Sequence, residues 1–260
     1  MSAGIEFRHV CFAAPDGRLL LDDISLALEK GSTTAILGRS GSGKTTLLRT
    51  VNRLIDPTSG EVHLQGENVR DLQLIRLRRS IGYVIQEAGL FPHFTVERNV
   101  GIVLEAEGIN SQRRLQGSHE LLSAVGLEPA TFAHRFPHQL SGGQRQRVSV
   151  ARALAADPEV LLMDEPFGAL DPLTRAEMHD MLRNLLASLS KTVLLVTHDL
   201  DEALFLARSI VLISEGKLMV HLPAAEFMRS GEPEVAAYIR AYHRGEDRST
   251  LIADRQEEKR

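Results

Sequence analysis

The sequence predicts an α/β fold: a mostly parallel β-sheet, covered by helices on both faces, that carries a phosphate-binding loop. Continuous apolar runs of strand length alternate with helical segments, as in VLLMD (160–164), TVLLVTH (192–198) and SIVLISE (209–215). A sheet buried on both faces needs such uninterrupted apolar runs. The glycine-rich residues GRSGSGKT (38–45) lie between an apolar run and a helical segment, which is the strand–loop–helix context of a phosphate loop.

Five strands are predicted in the first 85 residues. Short apolar or alternating runs are separated there by turn residues such as Asp16-Gly17 and Lys30-Gly31. The predicted strands are IEFRHVCF (5–12), LDDISLAL (21–28), TTAILG (33–38), EVHLQG (61–66) and IGYVI (81–85). The third strand leads directly into the glycine-rich loop, and the fifth has the apolar character of a buried strand.

The middle of the chain interrupts this pattern. From residue 95 to about residue 155 apolar residues recur at helical spacing, and residues 173–189 repeat that spacing. We therefore expect a helical segment inserted into the α/β fold. Residues 244–260 are mostly charged and have no periodicity, so we expect a flexible tail there.

Composition restricts the class of protein. A chain of 260 residues with 43% hydrophobic residues can bury one large core, or a core plus a smaller lobe. Its 30 basic and 34 acidic residues give a formal charge of −4, which does not favour nucleic-acid binding. The single cysteine, Cys11, excludes an intrachain disulfide. No signal peptide is recognisable, and no apolar run approaches the ~20 residues of a membrane helix. We expect a cytoplasmic protein that reaches a membrane only through a partner chain.

The loop GRSGSGKT matches the pattern G-x-x-x-x-G-K-[ST] in full. Its glycines let backbone N–H groups approach phosphate oxygens, and the following helix adds its positive N-terminal end. Lys44 is expected to reach the β- and γ-phosphates, and the Thr45 hydroxyl to bind Mg²⁺. A chance match in a flexible Gly/Ser-rich turn is the alternative, and the matching strand and helix flanks argue against it. The Asn-Lys-x-Asp segment of guanine-specific GTPases is missing.

Two adjacent acids, Asp164 and Glu165, end the apolar run VLLMDEP. In a parallel sheet the carboxyl ends of the strands form the ligand crevice. Asp164 suits the outer shell of Mg²⁺, and Glu165 suits a general base that polarises the attacking water. An acidic pair alone indicates a solvated turn, but the preceding apolar run and the phosphate loop favour a functional pair.

The pentapeptide LSGGQ (140–144) precedes an amphipathic helix, and Ser141 fits its N-cap. Arg145 and Arg147 fall in the first turn, where the helix dipole disfavours cations by a few tenths to about 1 kcal/mol each. A bound anion would relieve that repulsion, so this helix end is a candidate second anion site. Since the phosphate loop already accounts for one triphosphate, economy favours a nucleotide held by another copy of the chain.

These motifs, in this order, resemble those of the ATP-binding cassette (ABC) ATPases. Gln86 after IGYVI, GALD (168–171) and VTHD (196–199) complete the set. The resemblance runs from about residue 5 to 243 and implies one domain, 1–243, with a P-loop NTPase (RecA-like) core, an antiparallel β subdomain and an inserted α-helical subdomain. The core and β subdomain would comprise residues 1–87 and 157–243, and the helical subdomain residues 88–156.

The same resemblance implies a head-to-tail homodimer with two ATP molecules at its interface. Each ATP would lie between one copy's phosphate loop and the other copy's LSGGQ segment. The implied ATP-binding residues are Gly38, Arg39, Ser40, Gly41, Ser42, Gly43, Lys44, Thr45 and Thr46, together with Ser141, Gly142, Gly143, Gln144 and Asp171. The implied residues at Mg²⁺ are Thr45, Gln86 and Asp164.

Catalytic roles follow from the same comparison of motifs. Glu165 takes the role of base. Gln86 resembles the glutamine that touches Mg²⁺ and the attacking water and reports to the membrane partner. His198 resembles the switch histidine on the γ-phosphate, although a lone histidine after a strand is more often structural. Asp171 resembles the residue that communicates across the dimer, and it also fits an ordinary helix cap.

The chain departs from the family pattern near its first strand. Ala13 and Ala14 stand where the family usually has an aromatic that stacks on adenine. Phe12 is adjacent, and it either replaces that aromatic or belongs to the core. The departure concerns adenine preference rather than triphosphate binding.

Within the family, residues 47–62 and 78–100 look most like ATPase subunits of importers for quaternary amines such as glycine betaine and choline. This resemblance implies that closure of the dimer on ATP is coupled to solute uptake through a membrane permease, with an extracytoplasmic solute-binding protein as an indirect partner. The protein would be peripheral on the inner face of the cell membrane. Import of another solute (an amino acid or an ergothioneine-like betaine) and a non-transport regulatory ATPase remain the alternatives. The chain is too short for the C-terminal regulatory domain pair of many osmolyte ATPases, so we expect osmotic gating by that device to be missing.

Overall fold

The structure is a computed structural model that describes residues 3–243. The predicted tail, residues 244–260, lies outside the described residues. The strands within 3–243 are β1 (Ala3–Ala13), β2 (Leu19–Glu29), β3 (Thr33–Leu37), β4 (Ser59–Leu64), β5 (Glu67–Asn68), β6 (Ile81–Val84), β7 (Val160–Asp164), β8 (Thr192–Val196), β9 (Ser209–Ser214) and β10 (Lys217–Pro223). The helices are α1 (Lys44–Val51), α2 (Leu74–Arg79), α3 (Val96–Ala106), α4 (Ser111–Ala124), α5 (Pro129–Phe132), α6 (Gly142–Leu154), α7 (Pro172–Ser188), α8 (Leu200–Leu206), α9 (Ala224–Phe227) and α10 (233–243).

The central sheet is mostly parallel, as predicted. Strands β9, β3, β8, β7 and β6 run parallel in that spatial order, and β10 adds to the β9 edge in the antiparallel sense. Strands β7 and β8 are buried at every position, because helices cover both faces of the sheet. The carboxyl ends of β3, β6, β7 and β8 therefore meet at one edge, which we call the functional edge.

A second sheet is antiparallel, with strand order β2-β1-β4-β5. Its inward side chains, such as Phe7, share one buried cluster with Leu47 of α1 and with Leu162 and Leu194 of the central sheet. The second sheet and α1 thus cover the same face of the central sheet. This packing fixes the start of α1 beneath the functional edge.

The stretch predicted to be helical forms helices α3 to α6. Helices α3, α4 and α6 contact one another, and α6 also lies against β6 and α7. Leu122 and Val148 from these helices share a buried cluster with Met163 of β7 and Leu195 of β8. The helices therefore pack onto the other face of the sheet through α6.

Helices α8, α9 and α10 and strand β10 pack around strands β3 and β9 of the central sheet. Leu200, Phe227 and Val235 are buried in a third cluster with β3 and β9. The sequence analysis did not predict β10, α9 or α10. Strand β10 escaped because it is half-exposed and mixes polar with apolar residues. No helix in residues 3–243 combines the length and the apolar character that crossing a membrane requires.

Candidate functional site

The loop 38–45 joins β3 to α1, and its backbone lies very close to the backbone of neighbouring segments. Gly38 has a φ of +156° and Gly43 a φ of +102°. A Cβ atom on Gly38 would stand 2.3 Å from the carbonyl oxygen of Ile213, and one on Gly43 would stand 2.5 Å from that of Leu20. Both positions exclude a side chain, so these two glycines are required by the close approach of the backbone.

The other loop residues divide into an exposed tip and a buried base. The exposed residues of the tip are Arg39, Ser40 and Gly41. Ser42 is buried, and its Oγ has no hydrogen-bond partner. Thr45 and Thr46 are half-buried in the first turn of α1. An unpartnered buried hydroxyl is costly, and the Ser42 hydroxyl is therefore available to an incoming acceptor.

Lys44 is buried, with 4% of its surface exposed. Its Nζ donates to the carbonyl oxygens of Gly38 (2.8 Å) and Arg39 (3.0 Å). Burial lowers the pKa of Lys44, while the charges of Glu165 and Asp164 act in the opposite direction. A cation held by two neutral carbonyls gains strongly from a phosphate oxygen placed beside it.

Three donors converge on the carboxylate of Asp164. Thr45 Oγ1 donates to Oδ1 at 2.8 Å, Tyr83 Oη donates to Oδ2 at 3.3 Å, and Arg49 Nη2 donates to Oδ2 at 3.4 Å. Burial raises the pKa of the Tyr83 hydroxyl, which therefore stays protonated. The sequence analysis missed Arg49 and Tyr83. Arg49 could have been found from its position four residues after Thr45, because residues at that spacing lie on the same face of a helix.

Glu165 and His198 meet across the ends of β7 and β8. Glu165 has a φ of +45°, which is uncommon for a residue with a side chain, and its amide donates to the carbonyl of Val196 at 2.9 Å. His198 Nδ1 donates to Glu165 Oε2 at 3.2 Å. The Glu165 side chain is 23% exposed and that of His198 is 60% exposed. The pair is thus accessible from the crevice at the functional edge.

Gln86 follows β6 and is exposed. A Cβ atom on Gly168 would come within 3.6 Å of Gln86 Nε2 and within 3.9 Å of Glu165 Oε2. The ends of both side chains therefore lie beside Gly168. The structure brings together the loop 38–45, Asp164, Glu165, His198 and Gln86, all at the functional edge.

The segment Ser141–Gln144 forms the start of α6. Ser141 Oγ accepts from the amide of Gln144 at 3.2 Å, and Gln144 Oε1 accepts from the amide of Ser141 at 3.0 Å, which is a capping box. A Cβ atom on Gly143 would stand 2.4 Å from Cγ2 of Thr174, so glycine is needed where α6 meets α7. In residues 3–243 no hydrogen bond or ion pair joins this segment to the loop 38–45.

The two arginines of α6 are already partnered. Arg145 Nη1 donates to the carbonyl of Leu140 at 2.8 Å, and Arg147 Nη1 donates to that of Val125 at 2.8 Å. The repulsion expected at the helix start is therefore relieved within the chain. Charge at these two residues does not distinguish a second anion site from a plain helix cap.

Asp171 caps α7. Its Oδ1 accepts from the amide of Thr174 at 3.0 Å, and the hydrogen bond with Thr174 lowers the pKa of Asp171. Gly142 lies 3.5 Å, measured from its ideal Cβ position, from the side chain of Leu170. The starts of α6 and α7 thus form one corner that carries Ser141, Gly142 and Asp171.

The position expected for a base-stacking aromatic holds no exposed aromatic ring. Phe12 is half-buried and packs against the first core cluster. Its neighbours Ala13 and Ala14 are half-buried at the end of β1. Phe12 was expected either to replace the adenine-stacking aromatic or to belong to the core, and its packing favours the core.

Polar residues behind His198 form a network that sequence reasoning missed. Thr197 Oγ1 donates to Glu202 Oε2 at 2.8 Å and accepts from the amide of Asp199 at 3.0 Å. Arg175 Nη1 donates to Asp199 Oδ2 at 3.3 Å. The spacing of Thr197, Asp199 and Glu202 at the start of α8 is the helix-start pattern that could have revealed part of it.

The residues present fit a triphosphate. The loop supplies a buried ammonium, an unpartnered buried hydroxyl and the N-terminal end of α1. No group of three or more His, Cys, Asp or Glu that could hold a metal occurs within residues 3–243. The hydroxyl of Thr45 and the carboxylate of Asp164 supply the oxygen ligands that suit Mg²⁺, which commonly takes its remaining ligands from substrate phosphates and water.

Comparison with known proteins identifies the family. The family model described as ABC transporter matches residues 21–168. The glycine betaine uptake system ATP-binding protein YehX of Escherichia coli (strain K12) is 46% identical over 235 residues, which cover 86% of this chain and 75% of YehX. The choline transport ATP-binding protein OpuBA of Bacillus subtilis (strain 168) is 45% identical over 203 residues, covering 78% of this chain and 53% of OpuBA. The chain thus spans about half the length of the second relative.

A solved structure shares the fold. The dimeric post-hydrolysis state of the ATP-binding cassette MJ0796, bound to ADP and phosphate, matches with a TM-score of 0.77 and 34% identity, covering 85% of this chain and 98% of that chain. The predicted P-loop α/β fold class is confirmed by this likeness.

Proposed function

The chain belongs to the ABC transporter family and carries its ATPase domain, and from that membership we propose that it is the ATP-hydrolysing subunit of an importer. The observation that carries the proposal is the functional edge itself. There the phosphate loop, Asp164 and the Glu165–His198 pair lie together, as ATP hydrolysis requires.

The loop 38–45 and Thr46 bind the triphosphate in this proposal. Lys44 exchanges its two carbonyl partners for phosphate oxygens, and Ser42 gains an acceptor. Thr45, Gln86 and Asp164 hold Mg²⁺, with Asp164 kept in place by Tyr83. When bound, Mg²⁺ neutralises charge on the β- and γ-phosphates.

Glu165 acts as the base that orients and polarises the attacking water. Its carboxylate is half-buried, faces the crevice and is steadied by His198. The end of the Gln86 side chain also lies beside Gly168 and contributes to positioning the same water. His198 is exposed enough to contact the γ-phosphate as well as Glu165.

We assign the corner formed by Ser141–Gln144 and Asp171 to a second copy's nucleotide, in a head-to-tail homodimer. Ser141, Gly142 and Asp171 of this corner are exposed, and within residues 3–243 the corner has no contact with its own chain's phosphate loop through hydrogen bonds or ion pairs. The solved relative MJ0796 is described as dimeric, which supports this assembly. ATP-driven closure and opening of the dimer would supply the mechanical stroke.

A membrane permease is proposed to dock beside Gln86. A groove of about 520 Å³ lies between β6, α2, α3 and α6, and Ile75 and Phe91 line it. These two side chains are 57% and 43% exposed. Exposed apolar side chains around a groove are typical of a site that receives a helix of a partner. The subunit would then lie peripherally on the inner face of the membrane, with a solute-binding protein as an indirect partner.

We propose glycine betaine, choline or a related quaternary amine as the solute. The names of YehX and OpuBA, at 46% and 45% identity, support this choice. An amino acid, an ergothioneine-like betaine, or a regulatory role without transport is the alternative. Solute-stimulated hydrolysis in the reconstituted complex decides among them, and stimulation by choline or glycine betaine alone is the expected result.

The proposed boundaries within the domain 1–243 are unchanged from the sequence expectation. Residues 1–87 and 157–243 form the core with its β subdomain, and residues 88–156 form the helical subdomain. The contacts of α3, α4 and α6 with one another support treating these helices as one unit.

Glu165→Gln tests the proposed function directly. The amide keeps the shape of the side chain but is not a base, so ATP binds, hydrolysis falls by about 10² or more, and a dimer accumulates. Gel filtration of the full chain with ATP and Mg²⁺ measures the dimer, and phosphate release measures turnover. The control is Glu165→Gln combined with Lys44→Ala, which should stay monomeric. Fast hydrolysis by Glu165→Gln would refute the assignment of the base.

A further inference from the structure

Helix α10 contacts the chain after β8 through two hydroxyl groups, those of Tyr238 and Tyr242, and the Tyr238 hydroxyl reaches His198 itself. Tyr238 Oη donates to the carbonyl oxygen of His198 at 3.2 Å. The backbone amide of Gly38 lies close enough to the same phenol oxygen to oppose part of the rise in its pKa. A hydroxyl has one donor and two acceptor sites, so both contacts can exist at once. Tyr238 thereby bridges the first residue of the phosphate loop and the residue that pairs with Glu165.

Both backbone units that Tyr238 touches are linked to functional side chains. The carbonyl of Gly38 accepts from Lys44 Nζ at 2.8 Å. The imidazole of His198 donates to Glu165 Oε2 at 3.2 Å. Displacement of either backbone unit would therefore move a charged group of the site.

The ring of Tyr238 is held in place by the packing of α10. Val235 is fully buried in the third core cluster, and Tyr238 and Ile239 pack against that cluster. Burial raises the pKa of Tyr238 to about 12, and the charge of Asp199 acts in the same direction. The hydroxyl therefore remains protonated, and remains a donor, throughout the physiological pH range.

Gly38 has little freedom to move. Its backbone runs close to that of Ile213, where a Cβ atom placed on Gly38 would stand 2.3 Å from the carbonyl oxygen, and its carbonyl accepts from Lys44 Nζ at 2.8 Å. The loop that carries His198 is held on both sides of that residue by hydrogen bonds of Thr197 and Asp199. The hydroxyl of Tyr238 supplies the contact to the His198 carbonyl itself, which lies between those two anchors.

We propose that Tyr238 is a positioning residue for ATP hydrolysis, which sets the His198 backbone relative to the phosphate loop from a helix outside the family match at 21–168. The proposal rests on the roles proposed above for His198 and Glu165. Tyr238 itself does not touch the nucleotide in this arrangement.

Tyr238→Phe removes the hydroxyl and leaves the packed ring. We expect kcat for ATP to fall by about three- to tenfold, the rate equivalent of one ordinary hydrogen bond. KM for ATP should change by less than about twofold, because the loop residues that bind phosphate are untouched. Steady-state hydrolysis by the purified full chain measures both constants.

Hydrogen exchange supplies a second readout that does not depend on catalysis. Without nucleotide, amides in residues 197–200 should exchange faster in Tyr238→Phe than in the unsubstituted chain. Ser230→Ala is the matched control, because Ser230 Oγ accepts from the amide of Glu232 just before α10 and contacts neither loop. That variant loosens the start of the same helix and should leave both kcat and the exchange of 197–200 unchanged.

The proposal is overturned if Tyr238→Phe leaves kcat and the exchange of 197–200 unchanged, or if Ser230→Ala lowers kcat equally. A matching loss of ATP affinity in Tyr238→Phe would also overturn it, since the effect would then lie in nucleotide binding. Glu165→Gln is measured in parallel. Fast hydrolysis by that variant rejects the proposed site, whereas the exchange experiment still judges the contact of Tyr238.

Discussion

Glu202 is a buried acid directly behind the loop that carries His198. It is 3% exposed, its Oε2 accepts from the hydroxyl of Thr197 at 2.8 Å, and its Oε1 has no hydrogen-bond partner. Burial raises the pKa of Glu202 from 4.5 to about 8, and the Thr197 hydrogen bond only partly opposes this rise. The start of α8, directly behind His198, therefore contains a carboxyl group that is mostly protonated at neutral pH.

Stability should consequently depend on pH through Glu202. Its folded-state pKa lies above the unfolded value, so its contribution to stability is complete below about pH 4.5 and is lost as pH rises through about 8. Glu202→Gln is neutral at every pH and should not show this loss. We expect the Tm of the variant relative to the unsubstituted chain to rise by about 4 °C or more between pH 5 and pH 8.5.

Thermal unfolding followed by circular dichroism at several pH values measures this difference. Glu226→Gln is the control, since Glu226 is exposed. A Tm difference for Glu202→Gln that stays constant from pH 5 to 8.5 would contradict the assignment of a neutral, buried acid.

Helices α7 and α8 are joined near their N-terminal ends by one side chain, Arg175. Its Nη1 donates to Asp199 Oδ2 at 3.3 Å, and Asp199 caps α8. Its Nη2 donates at 3.2 Å to the carbonyl of Leu170, next to Asp171, which caps α7. The guanidinium group thus connects the corner that we assign to the dimer interface with the loop that carries His198.

Arg175→Lys should weaken this connection, because one ammonium cannot reproduce the two directed contacts of a guanidinium. We expect the free energy of unfolding to fall by about 1–2 kcal/mol. Urea denaturation measures the loss. Arg18→Lys is the control, because Arg18 makes an exposed ion pair with Asp16 (2.7 Å) that is expected to contribute less than about 0.5 kcal/mol. Equal losses in the two variants would show that Arg175 does not link the helices.

The whole molecule carries two groups of proposed nucleotide-binding residues at separate places. The loop 38–45 lies at the functional edge, and the corner with Ser141 and Asp171 lies where α6 and α7 begin. Two copies arranged head to tail would bring each loop to the other copy's corner. In such a dimer the exposed Gly142 would leave room for the other copy's nucleotide. Gly143, on the buried side of the same helix start, leaves room for Thr174 of α7.

Ser141→Arg should block ATP-driven dimerisation and leave ATP binding to the monomer unchanged. The bulky cation fills the exposed corner, while the phosphate loop is untouched. Gel filtration in the Glu165→Gln background measures dimerisation, and calorimetry measures binding. Asn110→Arg is the control for loss of a helix cap, since Asn110 caps α4 by accepting from the amide of Arg113 at 3.0 Å. Normal dimerisation of Ser141→Arg would contradict the two-chain site.

Much of the central sheet was predictable because each buried strand has its own apolar run. Strands β7 and β8 match the predicted runs at 160–164 and 192–198 closely. Strand β10 was missed because its exposed edge carries polar residues, and α10 because its inward residues, such as Val235 and Tyr238, are few and widely spaced. Propensity and periodicity report local burial, and both elements are stabilised mainly by contacts with distant parts of the chain.

By itself, the sequence determined the phosphate loop, the acids at the end of β7 and the alternation of strands and helices, because these depend on residues close together along the chain. Tertiary structure alone decided that Tyr83 and Arg49 hold Asp164, that Arg145 and Arg147 are satisfied by backbone carbonyls, and that Tyr238 reaches His198. Each of these contacts, except that of Arg145, joins residues that lie more than 20 positions apart along the chain. Their positions follow from how the elements pack, and a hydrogen bond depends on distances of a few tenths of an ångström that no local pattern encodes.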